Sequence, residues 1–178
     1  MLETGRLYAR HFGDDDLEEF AALCADPDVM RYVGDGSTLT RAEVAQWIDV
    51  CQEKYASRGY GTSAIFEKVS GNFIGYCGVV RAPGRSFDEL VYVLRRESWG
   101  VGYATEIGRA MLAYVFSISD LDSISATIDA DNEPSRHVAT KLGMTEESTS
   151  DAAVSYWSIR APRDEEPATL RTRKGRPT

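Results

Sequence analysis

Residues 90 to 112 pass from a strand to a helix through two glycines, and this junction constrains the fold more than any other stretch. The segment reads LVYVLRRESWGVGYATEIGRAML. With the preceding Glu89, the strand part reads ELVYVL. Its residues after the glutamate are apolar on both faces, which is typical of a central strand covered on both sides. The helical part carries a continuous inner stripe of small and apolar residues, namely Ala104, Ile107, Gly108, Met111, Leu112 and Val115. The junction therefore predicts a buried central strand followed by an amphipathic helix.

Gly100 and Gly102 stand directly before this helix, although glycine disfavours regular structure. A helix N-terminus presents unpaired amide groups and the positive end of the helix dipole, so it attracts anions, and glycines let a phosphate approach the backbone. The junction is thus typical of a diphosphate cradle. The alternative is a tight turn that packs the helix against the sheet. A dinucleotide fold or a P-loop is disfavoured because neither G-x-G-x-x-G nor G-x-x-x-x-G-K-[ST] occurs.

Hydrophobic periodicity predicts the other elements. In chain order they are a strand at 6–12, a helix capped by Asp14 or Asp15, a helix begun by the capping-box pair Thr40 and Glu43, a hairpin of strands 62–68 and 72–81, the junction strand and helix, a strand at 122–130, a helix between Asn132 and Gly143, and a last strand near 153–160. The 178 residues, 43% of them hydrophobic, suit one domain, which we place at 1–160. The proline-punctuated, charged tail at 161–178 is expected to be disordered, with a basic binding arm as the alternative.

Charge and cysteine content limit the partners. A formal net charge of −8 opposes nucleic acid or an anionic membrane as a partner and accommodates a cationic one more easily. The three cysteines form no CxxC pair and leave one over after any bridge, which favours a reducing compartment. The N-terminus has no signal or presequence pattern, and no run is long enough to span a membrane. We expect a cytoplasmic protein, either a monomer or a homodimer.

Two motifs resemble those of a known family. The stretch ELVYVLRRESWGVGYATE resembles motif A of the GNAT acetyltransferases, specifically their RimJ/RimL-like branch, and DADNEPSRHVATKLGM resembles the second motif of that branch. The segments LETGRLYARHFGDDDLEEF, DPDVMRYVG and VSGNFIGYCGV are similar to its opening segments, so the resemblance covers roughly residues 2–160. It implies an α+β fold of the GNAT acyl-CoA N-acyltransferase type, with a central mixed, mostly antiparallel sheet flanked by helices.

The resemblance also implies that acetyl-CoA is the co-substrate. The edge of the strand around Tyr92, Val93 and Leu94 would pair with the pantetheine arm as an added strand, and Asn132 matches the residue that binds this arm. Trp99 stands where the wider superfamily has Gln or Arg, so its side chain is expected to pack rather than bind. The backbone amides expected at the pyrophosphate are those of Gly100, Val101, Gly102, Tyr103, Ala104 and Thr105.

Two residues match catalytic positions of the branch. Ser135 matches the residue that protonates the leaving thiolate, and Glu89 matches the residue that receives the proton of the substrate amine, directly or through water. Ala139 stands where many superfamily members have a tyrosine acid. As alternatives, Asn132 and Ser135 only cap a helix, and Glu89 is a solvated carboxylate at a strand end.

These matches imply an N-acetyltransferase that joins acetyl-CoA and an amine acceptor, either a protein N-terminus or a small molecule, in a ternary complex. The alternative from another class is an acyl-CoA-binding sensor or assembly module without turnover. We expect no metal, because His11 and His137 have no metal-ligand spacing with each other or with cysteine. The acceptor is not readable from any motif.

Overall fold

The computed structural model describes residues 1–81 and 84–162. Within them, the strands are β1 (Leu2–Glu3), β2 (Leu7–His11), β3 (Thr62–Glu67), β4 (Phe73–Val80), β5 (Glu89–Leu94), β6 (Ser123–Asp129), β7 (Thr145–Glu147) and β8 (Val154–Arg160). The α-helices are α1 (Leu17–Cys24), α2 (Pro27–Met30), α3 (Arg41–Arg58), α4 (Tyr103–Ile118) and α5 (Glu133–Leu142). The tail expected to be disordered lies outside the described residues, apart from residues 161–162.

All eight strands belong to one sheet with the order β1-β2-β3-β4-β5-β6-β8-β7. Neighbouring strands run antiparallel except β5 and β6, which are parallel and share the single register pair Glu89 and Ser125. This is a mixed, mostly antiparallel sheet, and helices flank it. The predicted fold class is confirmed.

Helices cover both faces of the sheet and enclose two hydrophobic clusters. On one face, α1 and α3 pack an aromatic cluster around Phe20, Trp47 and Tyr76 against the sheet. On the other face, α4 inserts Ile107 and Met111 into a cluster that extends to α5 and β6. Removing apolar surface from water stabilises such clusters by roughly 25 cal/mol per Å². The central strands β4 and β5 lie between the two clusters, as the apolar pattern of β5 predicts for that strand.

Helix α3 begins where the sequence predicts. The Thr40 N–H donates to the Glu43 carboxylate over 2.7 Å, and the Glu43 N–H donates to the Thr40 hydroxyl over 3.3 Å. This reciprocal capping box satisfies two donors at the helix start. At the other end, Gly59 adopts a left-handed φ of 76° and closes the helix, as glycine commonly does.

The start of α1 differs from the predicted cap at Asp14 or Asp15. Both residues lie in a short 3-10 turn, and Asp16 takes the structural role instead. Its carboxylate accepts from the Gly13 N–H over 2.8 Å and pairs with the Arg10 guanidinium over 2.7 Å. Three consecutive aspartates look equivalent in the sequence, and the ion pair with β2 distinguishes Asp16 from the other two.

No sequence pattern predicts β1, α2 or β7. These elements are two to four residues long, so they are too short to show a period of two or of 3.6 residues. In residues 1–81 and 84–162, no helix is both long and apolar enough to cross a membrane.

Candidate active site

The sheet opens between β5 and β6. At the closed end, which we call the vertex, the Ser125 N–H donates to the Asp88 carbonyl over 2.9 Å, and Glu89 is in register with Ser125. Beyond the vertex the strands diverge, and the edge of β5 at residues 90–94 has no strand partner within the described chain. A cleft of about 1390 Å³ lies along this gap and is bounded by residues of α3, α4 and α5.

The direction of the β5 backbone decides which groups face the gap. Because strand residues alternate with a period of two, and the Asp88 carbonyl faces β6, the backbone groups of Leu90, Tyr92 and Leu94 face the gap. The Val93 carbonyl points toward β4 instead. Its oxygen lies so close to Gly75 of β4 that a β carbon added to this glycine would be only 2.0 Å away.

The expectation that the Val93 backbone pairs with a pantetheine arm therefore needs correction. Val93 lines the cleft with a buried side chain, while its carbonyl belongs to the β4 side of the strand. Tyr92 and Leu94 keep backbone groups toward the gap. The Leu94 carbonyl already accepts from the Trp99 indole N–H over 2.8 Å. The backbone groups of Tyr92 are therefore the best placed of the predicted three to bind the arm.

The glycine loop takes the conformation that its composition suggests. Gly100 and Gly102 have φ values of 75° and 87°, in the left-handed region where a branched side chain is strained. Gly102 is the residue before α4, and no side-chain hydrogen bond caps this helix within the part of the chain that is described. The first amides of α4 are consequently available to an anion. Gly100, Gly102, Tyr103, Ala104 and Thr105 all line the cleft.

Two members of the predicted loop face solvent. Val101 is 48% exposed and does not line the cleft, so only its backbone is placed to contribute. Trp99 is 50% exposed and lines the cleft, and its indole hydrogen bond fixes the loop to the end of β5.

A set of contacts that the sequence analysis misses braces the same loop. Arg6 donates to the Glu106 carboxylate over 2.7 Å and to the Val101 carbonyl over 2.9 Å, and its guanidinium lies 4.6 Å from the centre of the Tyr103 ring. Partial burial opposes ionisation of Glu106, but the hydrogen bonds that it accepts outweigh burial and lower its pKa. The Tyr103 hydroxyl also donates to Glu67 over 2.5 Å. Nothing local in the sequence links these residues, because they lie on distant segments.

Ser135 and Asn132 lie together at the start of α5 and line the cleft. The Asn132 side chain accepts from the Ser135 N–H over 3.2 Å, so Asn132 is the helix cap. This bond uses only the Ser135 backbone. The Ser135 hydroxyl instead accepts from the Tyr92 hydroxyl over 3.0 Å, and burial raises the pKa of Tyr92 to about 12. Capping and a role in the cleft are thus compatible in this pair of residues.

Glu89 lies at the vertex. Its half-buried carboxylate accepts a hydrogen bond from the Thr127 hydroxyl of β6, so the two side chains join the strands where they begin to diverge. Thr127 lines the cleft, whereas Glu89 does not. The structure therefore places Glu89 behind the wall of the cleft, in contact with it through Thr127. No sequence motif singles out Thr127.

A second carboxylate beside the vertex is also missed. Asp88 is 1% exposed, and its side chain accepts from Arg81 Nε over 3.1 Å and from the Tyr60 hydroxyl over 3.3 Å. Arg58 lies 3.7 Å away on its other side. Burial and the nearby Asp88 charge raise the pKa of Tyr60. The sequence signal for this site is an acidic residue directly before an apolar strand. Burying such a carboxylate is costly unless a cation pairs with it.

The two histidines lie on different elements, His11 on β2 and His137 on α5. His11 stacks on Tyr55 with 3.8 Å between the ring centres, and His137 is exposed on α5, where it lines the cleft. In residues 1–81 and 84–162, no group of three or more His, Cys, Asp or Glu side chains is arranged to hold a metal. Three arginines near the glycine loop and α5 form ion pairs, namely Arg95 with Glu19, Arg96 with Asp28 and Arg136 with Glu146.

The cysteines are free and buried. Of the three, Cys51 lines the cleft, and burial raises the pKa of its thiol to about 11. A thiol must ionise to act as a nucleophile. Cys51 is therefore poorly suited to accept an acyl group.

A mixed sheet that splits beside a glycine-led helix start defines the fold of the acyl-CoA N-acyltransferases. The chain belongs to the GNAT acetyltransferase family, because the family model described as "Acetyltransferase (GNAT) domain" matches residues 6–145.

Individual relatives agree with this assignment. YkkB of Bacillus subtilis strain 168, an uncharacterized protein, is 34% identical over 148 residues, which are 80% of this chain and 84% of YkkB. The crystal structure of an acetyltransferase from Agrobacterium tumefaciens strain C58 aligns with a TM-score of 0.77 at 23% identity, covering 89% of this chain and 93% of that chain. RimL, a ribosomal L7/L12 alpha-N-protein acetyltransferase in complex with coenzyme A, aligns with a TM-score of 0.75 at 15% identity, covering 88% and 95%. At these identities the two structures show a common fold.

Proposed function

We propose that the protein is an acetyl-CoA-dependent N-acetyltransferase that transfers the acetyl group directly to a primary amine in a ternary complex. One observation carries the proposal: the open edge of β5 connects a glycine-led helix start at one end with Glu89 at the other. An anionic, amide-containing chain can bind along this path. The acceptor then approaches the vertex from the opposite side of the cleft.

The residues fit acetyl-CoA. A side chain at Gly102 would fill the approach to the first amides of α4, and a β carbon there would lie 3.6 Å from the Arg6 guanidinium. The pyrophosphate would bind to the amides of residues 100–105, close to that cation. The pantetheine arm would bind to the backbone of Tyr92 and Leu94 and to Asn132. Acetyl-CoA supplies the reactive thioester, and a backbone N–H on the β5 edge would stabilise the oxyanion.

Ser135 and Tyr92 are suited to protonate the leaving thiolate. Because the Tyr92 hydroxyl donates to the Ser135 oxygen, the Ser135 proton is free to pass to the sulfur as the carbon–sulfur bond breaks. Tyr92 then replaces that proton or stabilises the serine oxygen. Tyr92 on β5 would thus supply a phenol beside Ser135. Helix α5 itself lacks one, since Ala139 stands where many superfamily members have a tyrosine acid.

Glu89 is the proposed proton acceptor for the amine. Its carboxylate sits behind Thr127 and not on the wall of the cleft, which favours transfer through the Thr127 hydroxyl or through water. Direct transfer of the acetyl group to the amine agrees with the burial of Cys51, because a buried thiol is poorly suited to carry the acetyl group.

A kinetic matrix of both substrates should give intersecting double-reciprocal lines, and parallel lines with an acetylated enzyme would contradict the ternary complex.

The acceptor class and the cellular location also belong to the proposal. The resemblance of both motifs favours the RimJ/RimL-like branch. RimL itself is a ribosomal L7/L12 alpha-N-protein acetyltransferase. A protein N-terminus and a small-molecule amine are both acceptable to a cleft of this size. Three free cysteines favour a reducing cytoplasm.

Ser135→Ala should lower kcat by about 10- to 100-fold, since a hydrogen bond to a charged group contributes about 1.5–3 kcal/mol. Its Kd for acetyl-CoA should stay within a few fold, because the Asn132 cap uses the Ser135 N–H, which alanine keeps. Tyr92→Phe should give a smaller loss of kcat. Stopped assays for kcat and calorimetry for Kd separate the two effects.

The control for this prediction is Ser117→Ala, which removes an exposed serine hydroxyl on α4 that donates to the Tyr114 carbonyl. It should leave both constants unchanged. A loss of acetyl-CoA affinity in Ser135→Ala with kcat unchanged would reduce Ser135 to a binding residue.

A further inference from the structure

The acceptor half of the cleft is positively charged, although the whole chain carries a formal net charge of −8. Its wall contains five basic side chains from α3 and from the segments around α2 and β4, namely Arg31, Lys54, Arg58, Arg81 and Arg85. Two aspartates also line the cleft. Asp28 is paired with Arg96, and Asp129 lies at the far end of β6.

Three of these cations form a compact group, which we call the basic cluster: Lys54, Arg58 and Arg81. Arg58 and Arg81 both contact the single carboxylate of Asp88. Lys54 precedes Arg58 by one helical turn, so the two side chains lie on the same face of α3. Lys54 has no carboxylate within ion-pair distance in the part of the chain that is described.

Asp88 neutralises only part of this charge. Arg58 and Arg81 share this one carboxylate and Lys54 adds a further charge, so the group keeps a net positive charge. The side chains of Arg58 and Arg81 remain 33% and 41% exposed, and both residues line the cleft. Asp88 is fully enclosed and holds the two guanidiniums in place. Guanidinium groups fixed in this way are suited to bidentate binding of a carboxylate or phosphate.

The basic cluster stands next to the vertex. Arg81 follows Val80, the residue of β4 that is in register with Glu89. Asp88 both contacts Arg81 and bonds Ser125 through its carbonyl at the vertex. Because side chains alternate along a strand, Asp88 and Glu89 point to opposite faces of the sheet. The basic cluster and Thr127 nevertheless line the same cleft, so an acceptor whose amine reaches Thr127 can extend its other groups toward the basic cluster.

We propose that the basic cluster binds an anionic group, a carboxylate or a phosphate, on the acceptor. The acceptor is then a small amine that carries a negative charge a few bonds from its nitrogen. A polyamine is disfavoured, because its second cation would lie against like charges. This inference rests on the proposed function for the amine, while the anion site itself can be tested without turnover.

The first experiment measures binding to protein saturated with CoA, so that the phosphate cradle is occupied. Calorimetric titrations use phosphoethanolamine, β-alanine, ethanolamine and putrescine. The two anionic amines should bind at least about tenfold more tightly than ethanolamine or putrescine, and their order distinguishes a phosphate site from a carboxylate site. Tighter binding of putrescine, or no binding of either anionic amine, would overturn the inference.

The second experiment uses Arg81→Gln and Lys54→Gln, with Arg41→Gln as the matched control. Arg41 lies at the other end of α3, pairs with Glu18 at the surface and does not line the cleft. The first two variants should weaken binding of the anionic amine by about tenfold and leave ethanolamine unchanged, and the control should behave as the parent protein.

Lys54→Gln keeps this test decisive if Arg81→Gln fails to fold, because Lys54 forms no ion pair with Asp88. An equal loss for ethanolamine and the anionic amine would contradict the anion site. If anionic amines bind but neither they nor any other amine or N-terminal peptide is acetylated, the anion site stands and the proposed function fails.

Discussion

Glu89→Gln should lower kcat by about 100-fold or more, while the affinity for acetyl-CoA stays nearly unchanged. A primary amine is mostly protonated near neutral pH, so it must lose a proton before attack, and a positioned base typically contributes ~10²–10⁴-fold. Glutamine keeps the shape of the side chain and can still contact Thr127, but it cannot take a proton. The deficit should shrink as the pH rises, since free amine then becomes abundant.

This prediction is checked by kcat–pH profiles of the parent protein and the variant with one confirmed acceptor. Glu53→Gln serves as the control, because Glu53 is an exposed residue of α3 that does not line the cleft. Thr127→Val tests the proposed path through the threonine hydroxyl and should give part of the loss. Parent rates with an unchanged pH profile in Glu89→Gln would show that another group receives the proton.

Gly102→Val should weaken acetyl-CoA binding by at least about tenfold. The native φ of 87° is unfavourable for a branched side chain, and the new methyl groups would stand where the pyrophosphate approaches α4. Calorimetry with acetyl-CoA and with CoA should show the same loss, since both carry the pyrophosphate.

Gly71→Val separates backbone strain from the loss of the binding site. Gly71 has a similar φ of 71° in the turn between β3 and β4, and a β carbon there meets no atom within 4 Å. It does not line the cleft. Both variants should therefore lose similar thermal stability, but only Gly102→Val should lose affinity. Unchanged affinity in a folded Gly102→Val protein would contradict the assignment of the loop.

Much of the fold is predictable because its signals are local. The Thr40 and Glu43 capping box, the left-handed glycines and the two-sided apolar strand each depend on residues within a few positions of one another. The structure places these elements within a residue or two of their predicted bounds. The cap of α1 is the exception, because Arg10 of β2 selects Asp16 from three neighbouring aspartates.

The site is less predictable because its contacts join distant segments. Tyr92 and Ser135 are 43 positions apart, and Arg6 and Glu106 are 100 positions apart. The direction of the Val93 carbonyl depends on the close approach of Gly75, which no strand pattern reveals. Likewise, Asp88 becomes significant only when folding brings Arg58 and Arg81 to it. Residue types suggest candidates at such positions, and tertiary packing assigns their contacts.

The central claim, direct acetyl transfer from acetyl-CoA to an amine, is tested most directly by measuring both products of one reaction. The protein is incubated with acetyl-CoA and a panel of N-terminal peptides and anionic, neutral and cationic small amines. Free thiol is titrated while mass spectrometry quantifies the acetylated amine. We expect at least one acceptor for which CoA and acetylated amine appear in equal amounts, at a rate that Ser135→Ala lowers. Tight binding of acetyl-CoA without thiol release across the whole panel would contradict the account and identify the protein as an acyl-CoA-binding module.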